Sequence, residues 1–208
     1  GHSQGGALFL SSLNASQTVF NKESASFTYN FGPSQLGIWY DGRINRNGGF
    51  FRDQTIDYVF NGVQYSKVKT AKEGVSSVYR HGAGLDYSHF KEDHHAFRAR
   101  AGMDGNWVDN SIAQQVVRTG APSSSYNADL IDRDGDLNPW IECYFERNLS
   151  GKHNLAFNLI ADAYRTSSHY GYAETDPSAG DLFRSESRIR GRTRSIVGQA
   201  SWAWDFAD

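Results

Sequence analysis

The sequence predicts an all-β chain, an antiparallel up-and-down meander that forms part of a transmembrane β-barrel. Three observations lead there. Long segments alternate small polar with apolar or aromatic residues one for one, the period of a strand with one greasy and one wet face. The composition is 14% aromatic with 21 Gly and only 4 Pro, at a mean hydropathy of -0.60, which suits a wall in which only half of each strand needs to be apolar. Finally, short and long connections alternate along the chain. Brief turns on one rim and extended loops on the other are the format of an outer-membrane barrel.

Taken in order, Ser24 to Phe31 is the clearest strand, with Ala25, Phe27, Tyr29 and Phe31 on one face and Ser24, Ser26, Thr28 and Asn30 on the other. Gly32-Pro33-Ser34 turns the chain, and Leu36, Ile38 and Tyr40 return alternating with Gly37, Trp39 and Asp41. A polar excursion follows, containing an Asn61-Gly62 hairpin signal between Ile56–Phe60 and Val63–Val68. The chain comes back through Val78 to Phe90 and turns at Lys91-Glu92-Asp93-His94. From His95 to Val108, Phe97, Ala99, Ala101 and Met103 oppose Arg98, Arg100, Gly102 and Asp104; charges at every second position are costly in a dry core and natural in a wet lumen. Trp140 to Arg147, the turn Ser150-Gly151-Lys152, and Leu155, Phe157, Leu159, Ala161 and Ala163 make the next pair. The final segment puts Ile196, Gly198, Ala200, Trp202, Trp204 and Phe206 on one face.

Strands are thus expected near 24–31, 35–46, 76–90, 95–108, 138–149, 153–167 and 186–206, with long loops at about 45–75, 108–136 and 168–184. Residues 1–208 read as one domain, with 1–6 a flexible end, and as a piece of something longer. Too few strands of too wide a wall are present to close, so an open sheet with two free edges is expected.

Several classes are disfavoured. No run of about 18 apolar residues exists for a spanning helix. A net charge of -2 and the lack of a basic stretch interleaved with aromatics disfavour nucleic acid as a partner. The lone Cys143 excludes an internal disulfide framework and reads as a small apolar residue on a strand face.

Five motifs are candidates for a site. Gly1-His2-Ser3-Gln4-Gly5 fits the G-x-S-x-G nucleophile elbow, but no strand precedes it and β-patterned sequence follows where the elbow needs a helix. Asp132, Asp134 and Asp136 are the best metal candidates, for a hard cation such as calcium; the spacing fails the EF-hand pattern, and an acidic turn at a loop–strand junction is the simpler reading. His89, His94 and His95 around Asp93 invite zinc, but a tight turn points adjacent histidines apart, which leaves a solvated rim. Arg188, Arg190, Arg192 and Arg194 share a strand face, either as a stripe for anionic lipopolysaccharide headgroups or an anionic solute, or as arginines standing in water above a membrane. Trp202, Trp204 and Phe206 suggest an interfacial aromatic girdle.

Gly5-Gly6 with the alternating stretch after it, Tyr58-Val59-Phe60-Asn61-Gly62-Val63-Gln64-Tyr65, Asn138-Pro139-Trp140-Ile141-Glu142-Cys143-Tyr144-Phe145-Glu146-Arg147 and Arg190-Gly191-Arg192-Thr193-Arg194-Ser195-Ile196-Val197-Gly198-Gln199-Ala200 resemble, in order and spacing, the barrel domain of TonB-dependent-receptor-like outer-membrane proteins of the Bacteroidetes type. The resemblance runs from about Gly5 to Phe206 and covers the early-to-middle barrel. It implies a parent with a plug and a barrel of about 22 strands that takes up nutrients across the bacterial outer membrane. It implies no enzymatic activity and no cofactor. The implied partners are outer-membrane lipid, a transported solute and, through the full-length parent, TonB and a surface lipoprotein. Two rivals stand beside it: a soluble or surface β-sandwich binding glycans through Trp107, Tyr126, Tyr170 and Tyr172, and a serine hydrolase built on Ser3.

Overall fold

A computed structural model of the chain describes residues 4–15, 19–49, 52–91, 94–120, 122–150 and 153–204. Nine strands make one antiparallel sheet: β1 (Gly5–Ala15), β2 (Val19–Phe31), β3 (Ser34–Asn47), β4 (Gln54–Phe60), β5 (Val63–Lys91), β6 (His95–Thr119), β7 (Ser124–Ser150), β8 (His153–Asp176) and β9 (Gly180–Trp204). The order is β1-β2-β3-β5-β6-β7-β8-β9, with β4 folded back on β5, so sequence neighbours pair as expected. Among the described residues β1 and β9 do not pair, and the sheet is open at both edges.

The expected long loops are strands. Apart from the Asn61-Gly62 hairpin, which the sequence did predict, the described residues at about 45–75, 108–136 and 168–184 continue β5 to β9 upward as paired ladders interrupted only by bulges, leaving tips near Asn61-Gly62, Gly120 and Pro177 to Ala179. Asn61 and Gly62 have φ of 50° and 78°, the paired positive values of a type I′ turn, as the dipeptide predicts. Gly5 and Gly6, expected in a flexible end, pair with Asn30 and Tyr29.

The register fixes which residues share a face, because directly paired residues in an antiparallel ladder project the same way. One cross-strand row runs Phe31, Ser34, His89, Phe97, Phe145, Phe157, Ala200. Further rows on that face hold Phe27, Ile38, Leu85, Ala101, Ile141, Ala161 and Ile196, and Tyr29, Leu36, Tyr87, Ala99, Cys143 and Leu159. The opposite face carries Thr28, Asp86, Arg100 and Glu142 in one row and Ser88, Arg98, Tyr144 and Asn158 in another. The alternation read from the sequence therefore holds across the sheet. Among the described residues nothing covers the apolar face: Leu85, Met103, Ile141, Phe157, Ile196 and Trp202 are all exposed.

The short turns are staggered. The β2–β3 turn closes at Phe31 with Ser34 in the row of His89, and the β5–β6 turn closes two residues further along, at Lys91 with His95. Arg147 and Leu155 share the row of His95, and the β7–β8 turn again closes one row beyond, at His153. One row of about 6.8 Å for every two strand spacings of about 4.8 Å places these turns in one plane only if the strands tilt by about 35° from its normal.

The small buried core lies high on the polar face. Val116, Ala128, Tyr126 and Ile112 are buried there with Gln114, and Tyr172 packs against them. β-Bulges at Ala71/Glu73 and Glu174/Thr175 flank this region. Bulges bend a strand and sharpen its twist, and the sheet curls inward enough for Lys67 of β5 to pair with Glu174 of β8 over the intervening β6 and β7. In a flat sheet those strands would stand about 14 Å apart.

Candidate functional site

A floor of indoles on the polar face, below the buried core, is the candidate site. Gly82 and Gly84 on β5 and Gly102 on β6 face this side, and Trp39 and Trp140 lie across them. A Cβ at Gly84 would stand 2.8 Å from the Trp39 ring, and one at Gly102 2.6 Å from the Trp140 ring. Only glycine leaves room for an indole flat against the backbone. Trp140 Nε1 donates to Asp104 Oδ2 at 2.8 Å, and the Arg100 guanidinium sits 5.6 Å from the Trp140 ring centroid. Arg100 Nε in turn donates to Asp86 Oδ1 at 2.6 Å, with Arg98 3.5 Å from the same carboxylate and Glu142 3.7 Å from Arg100.

Above the indoles, Lys22, Arg43 and Arg80 stand side by side in one cross-strand row, followed by Asn106 and Asp136. Arg80 Nε donates to Asn106 Oδ1 at 3.1 Å, and Arg43 lies over the Phe20 ring at 5.2 Å. Directly opposed like charges repel, so this row favours an anionic group set against it. With Trp39, Asp41, Gly82 and Asp104 it lines a shallow concavity of about 400 Å³. An aromatic floor bordered by three cations and by the carboxylates of Asp41, Asp104 and Asp136 suits a polar solute with an apolar ring face.

A second charged cluster belongs to the curled upper sheet. Glu174 accepts from Lys67 Nζ and from the Tyr172 hydroxyl at 2.7 Å, while Lys69 Nζ lies 4.3 Å from the Tyr172 ring centroid. Burial works to raise the Glu174 carboxyl, but the Lys67 and Tyr172 hydrogen bonds and the Lys67 charge prevail and hold it below the usual range. Burial would lower Lys67, yet its bonds to Glu174 and Tyr126 raise it. Lys69 is lowered by burial and by the charge of Lys67, and Tyr172 is raised by burial and its bond to Glu174. The partners satisfy one another, which makes this cluster a clamp on the curl.

The sequence candidates separate. Asp132, Asp134 and Asp136 lie in the middle of β7, each opposite a different pair of neighbours, so the acidic turn is a strand and successive carboxylates stand about 6.8 Å apart along it. Among the described residues no three His, Cys, Asp or Glu side chains could hold a metal. His89 and His95 stack at 5.1 Å on the apolar face beside the β5–β6 turn; Asp93 lies outside the described residues. Ser3 of the elbow motif and Phe206 of the aromatic trio also lie outside them. Trp202 and Trp204 stack at 6.5 Å on the apolar face beside the lower rim. Of the aromatics proposed for glycans, Trp107 is on the apolar face, Tyr126 and Tyr172 belong to the buried clamp, and Tyr170 is exposed on the polar face. Of this site the sequence showed only Trp39, a tryptophan on the wet face of its strand, and neither the glycines that it lies against nor the basic row above it, which cross-strand register alone brings together.

No protein-family model, curated protein or solved structure matches the chain.

Proposed function

We propose that this chain is a stretch of the wall of an outer-membrane β-barrel of the TonB-dependent-receptor-like class, and that its polar face contacts a nutrient on its way inward. The observation that carries the reading is a single-layered sheet whose uncovered face is mainly apolar over a fixed height, interrupted by His81 on β5 and Glu23 on β2, while its other face is charged. On β6 the apolar side runs Phe97, Ala99, Ala101, Met103, Gly105, Trp107 and then meets Asp109. From Phe97 to Trp107 the strand advances about 34 Å, and a tilt of about 35° makes this about 28 Å of height, close to the apolar band of outer-membrane barrels, about 25 Å. Trp107 and Tyr79 at the upper border and Trp202 and Trp204 at the lower one stand where an aromatic girdle belongs. The stagger of the turns agrees, since transmembrane strands tilt by about 35–45°. Above the belt the sheet continues as a tall palisade, and in the membrane frame that is the cell exterior.

Labelling in reconstituted full-length protein tests the proposal, in a background with Cys143 replaced by Ala. A cysteine at Phe157 should react with a lipid-phase probe and one at Asn158 with an aqueous probe. Equal aqueous reactivity at both positions would remove the membrane assignment.

A further inference from the structure

We infer that the upper border of the apolar face holds a site for phosphorylated lipid headgroups of the surrounding leaflet, formed by Arg165, Arg192 and Arg194 with Arg190 above them. The inference rests on the membrane reading proposed above.

On β9 the apolar face runs Trp204, Trp202, Ala200, Gly198, Ile196 and then, without a break, Arg194, Arg192, Arg190 and Arg188. On β8 the same face runs Leu155, Phe157, Leu159, Ala161, Ala163 and then Arg165. The arginines are therefore on the side that meets lipid, not on the side that meets the solute. Arg165 is directly opposite Arg192, and Arg194 and Arg190 flank Arg192 on the same face. When the stagger of the turns is used to level the sheet, Arg165, Arg192 and Arg194 come to the height of Trp107 and Tyr79, the aromatic border of the belt. That is where headgroups lie.

The pairing pattern supplies the second reason. The other arginines at this end of the face are neutralised: Arg133 pairs with Asp109 at 3.1 Å, and Arg188 with Glu186 at 2.5 Å, the same carboxylate that His169 contacts at 2.9 Å. Arg165, Arg190, Arg192 and Arg194 are exposed and have no acidic partner among the described residues. A directly opposed Arg–Arg pair destabilises a ladder unless an anion is set between the two. Guanidinium forks bind phosphate oxygens bidentately. With apolar sheet immediately below and four forks above, the ligand that satisfies both is a phosphate attached to acyl chains; a free phosphate uses only the upper half.

The test uses the full-length protein in phosphatidylcholine vesicles with or without lipid A, which carries two phosphates, and counts lipid A retained per protein by native mass spectrometry. Arg165→Gln/Arg192→Gln/Arg194→Gln should insert normally and lose retained lipid A about tenfold. The corresponding lysine triple variant should recover part of it. Arg43→Gln/Arg80→Gln, on the polar face, should retain it in full, and millimolar inorganic phosphate should not displace it. Normal insertion with undiminished lipid A in the glutamine variant overturns the site alone, as does full displacement by inorganic phosphate. Failure of the unaltered protein to insert into either vesicle overturns the membrane reading and the site together.

Discussion

The Lys67–Glu174 pair shows what one contact does in a sheet with almost no core. Its side chains are 19% and 12% exposed, so neither charge is well solvated if the other is removed. Glu174→Gln should destabilise the upper sheet by about 2 kcal/mol, read as faster amide exchange in the upper parts of β5 and β8. The pH dependence follows from the two shifts. Glu174 titrates below its ordinary 4.5, so its contribution is fully present above 4.5 and is lost as pH falls through the lowered value. Lys67 titrates above its ordinary 10.5, so its contribution is fully present below 10.5 and is lost as pH rises through the raised value. Protection of this region should form a plateau between those limits, and the Gln variant should lack the fall on its acid side. A second residue-scale expectation concerns the floor. Gly84→Val drives side-chain carbons into the Trp39 indole and should lift it, with a red-shifted emission and a loss of about 1–3 kcal/mol from overpacking. Unchanged emission would mean that the indole does not lie where the glycines place it.

At the scale of the strand, the lower half of the sheet was readable, and of the upper half only the hairpin around Asn61-Gly62. Alternation is a signal only where one face is apolar, as from Phe97 to Trp107. Just above the belt, and below the buried cluster of Ile112, Val116, Tyr126 and Ala128, both faces are wet, so Asn110-Ser111 and Asp132-Arg133-Asp134-Gly135-Asp136 carry loop-like composition although they are paired at every residue. The bulge adds to this by shifting the phase: Ala71 pairs with Gln114 and Glu73 with Ala113, which leaves Lys72 as the extra residue. A pattern that is strict on each side of a bulge reads as irregular across it. Deleting Lys72 should restore strict alternation and leave Lys67 and Lys69 on the polar face, since Ala71 would still stand opposite Gln114 and Glu73 opposite Ala113, but it should take out the bend that helps carry Lys67 over to Glu174. The deletion should then destabilise the upper sheet at least as much as Glu174→Gln. Adding Glu174→Gln to the deletion should cost little more. Full additivity of the two would show that Lys67 had kept its place.

At the scale of the molecule, the open edges govern what the sheet can be. β9 presents a free edge of 25 residues, β1 presents another, and long exposed edges template pairing with other chains. Two solutions exist: these strands pair with each other, or further strands complete a wider wall. Self-closure would turn Arg98, Arg100, Asp86, Glu142 and Asp162 into the narrow interior of a small barrel. There they would crowd and desolvate, whereas in the open sheet Asp86, Arg98, Arg100 and Glu142 form a ladder of ion pairs. In the full-length protein, therefore, amides on the free side of β9 should exchange as slowly as those of β6, and cross-links from β9 should land on residues outside this chain. Disulfide trapping between cysteines placed on β1 and β9 should fail. Efficient trapping across that pair would mean that the sheet closes on itself, and that the charged face is the lining of a small, self-sufficient barrel.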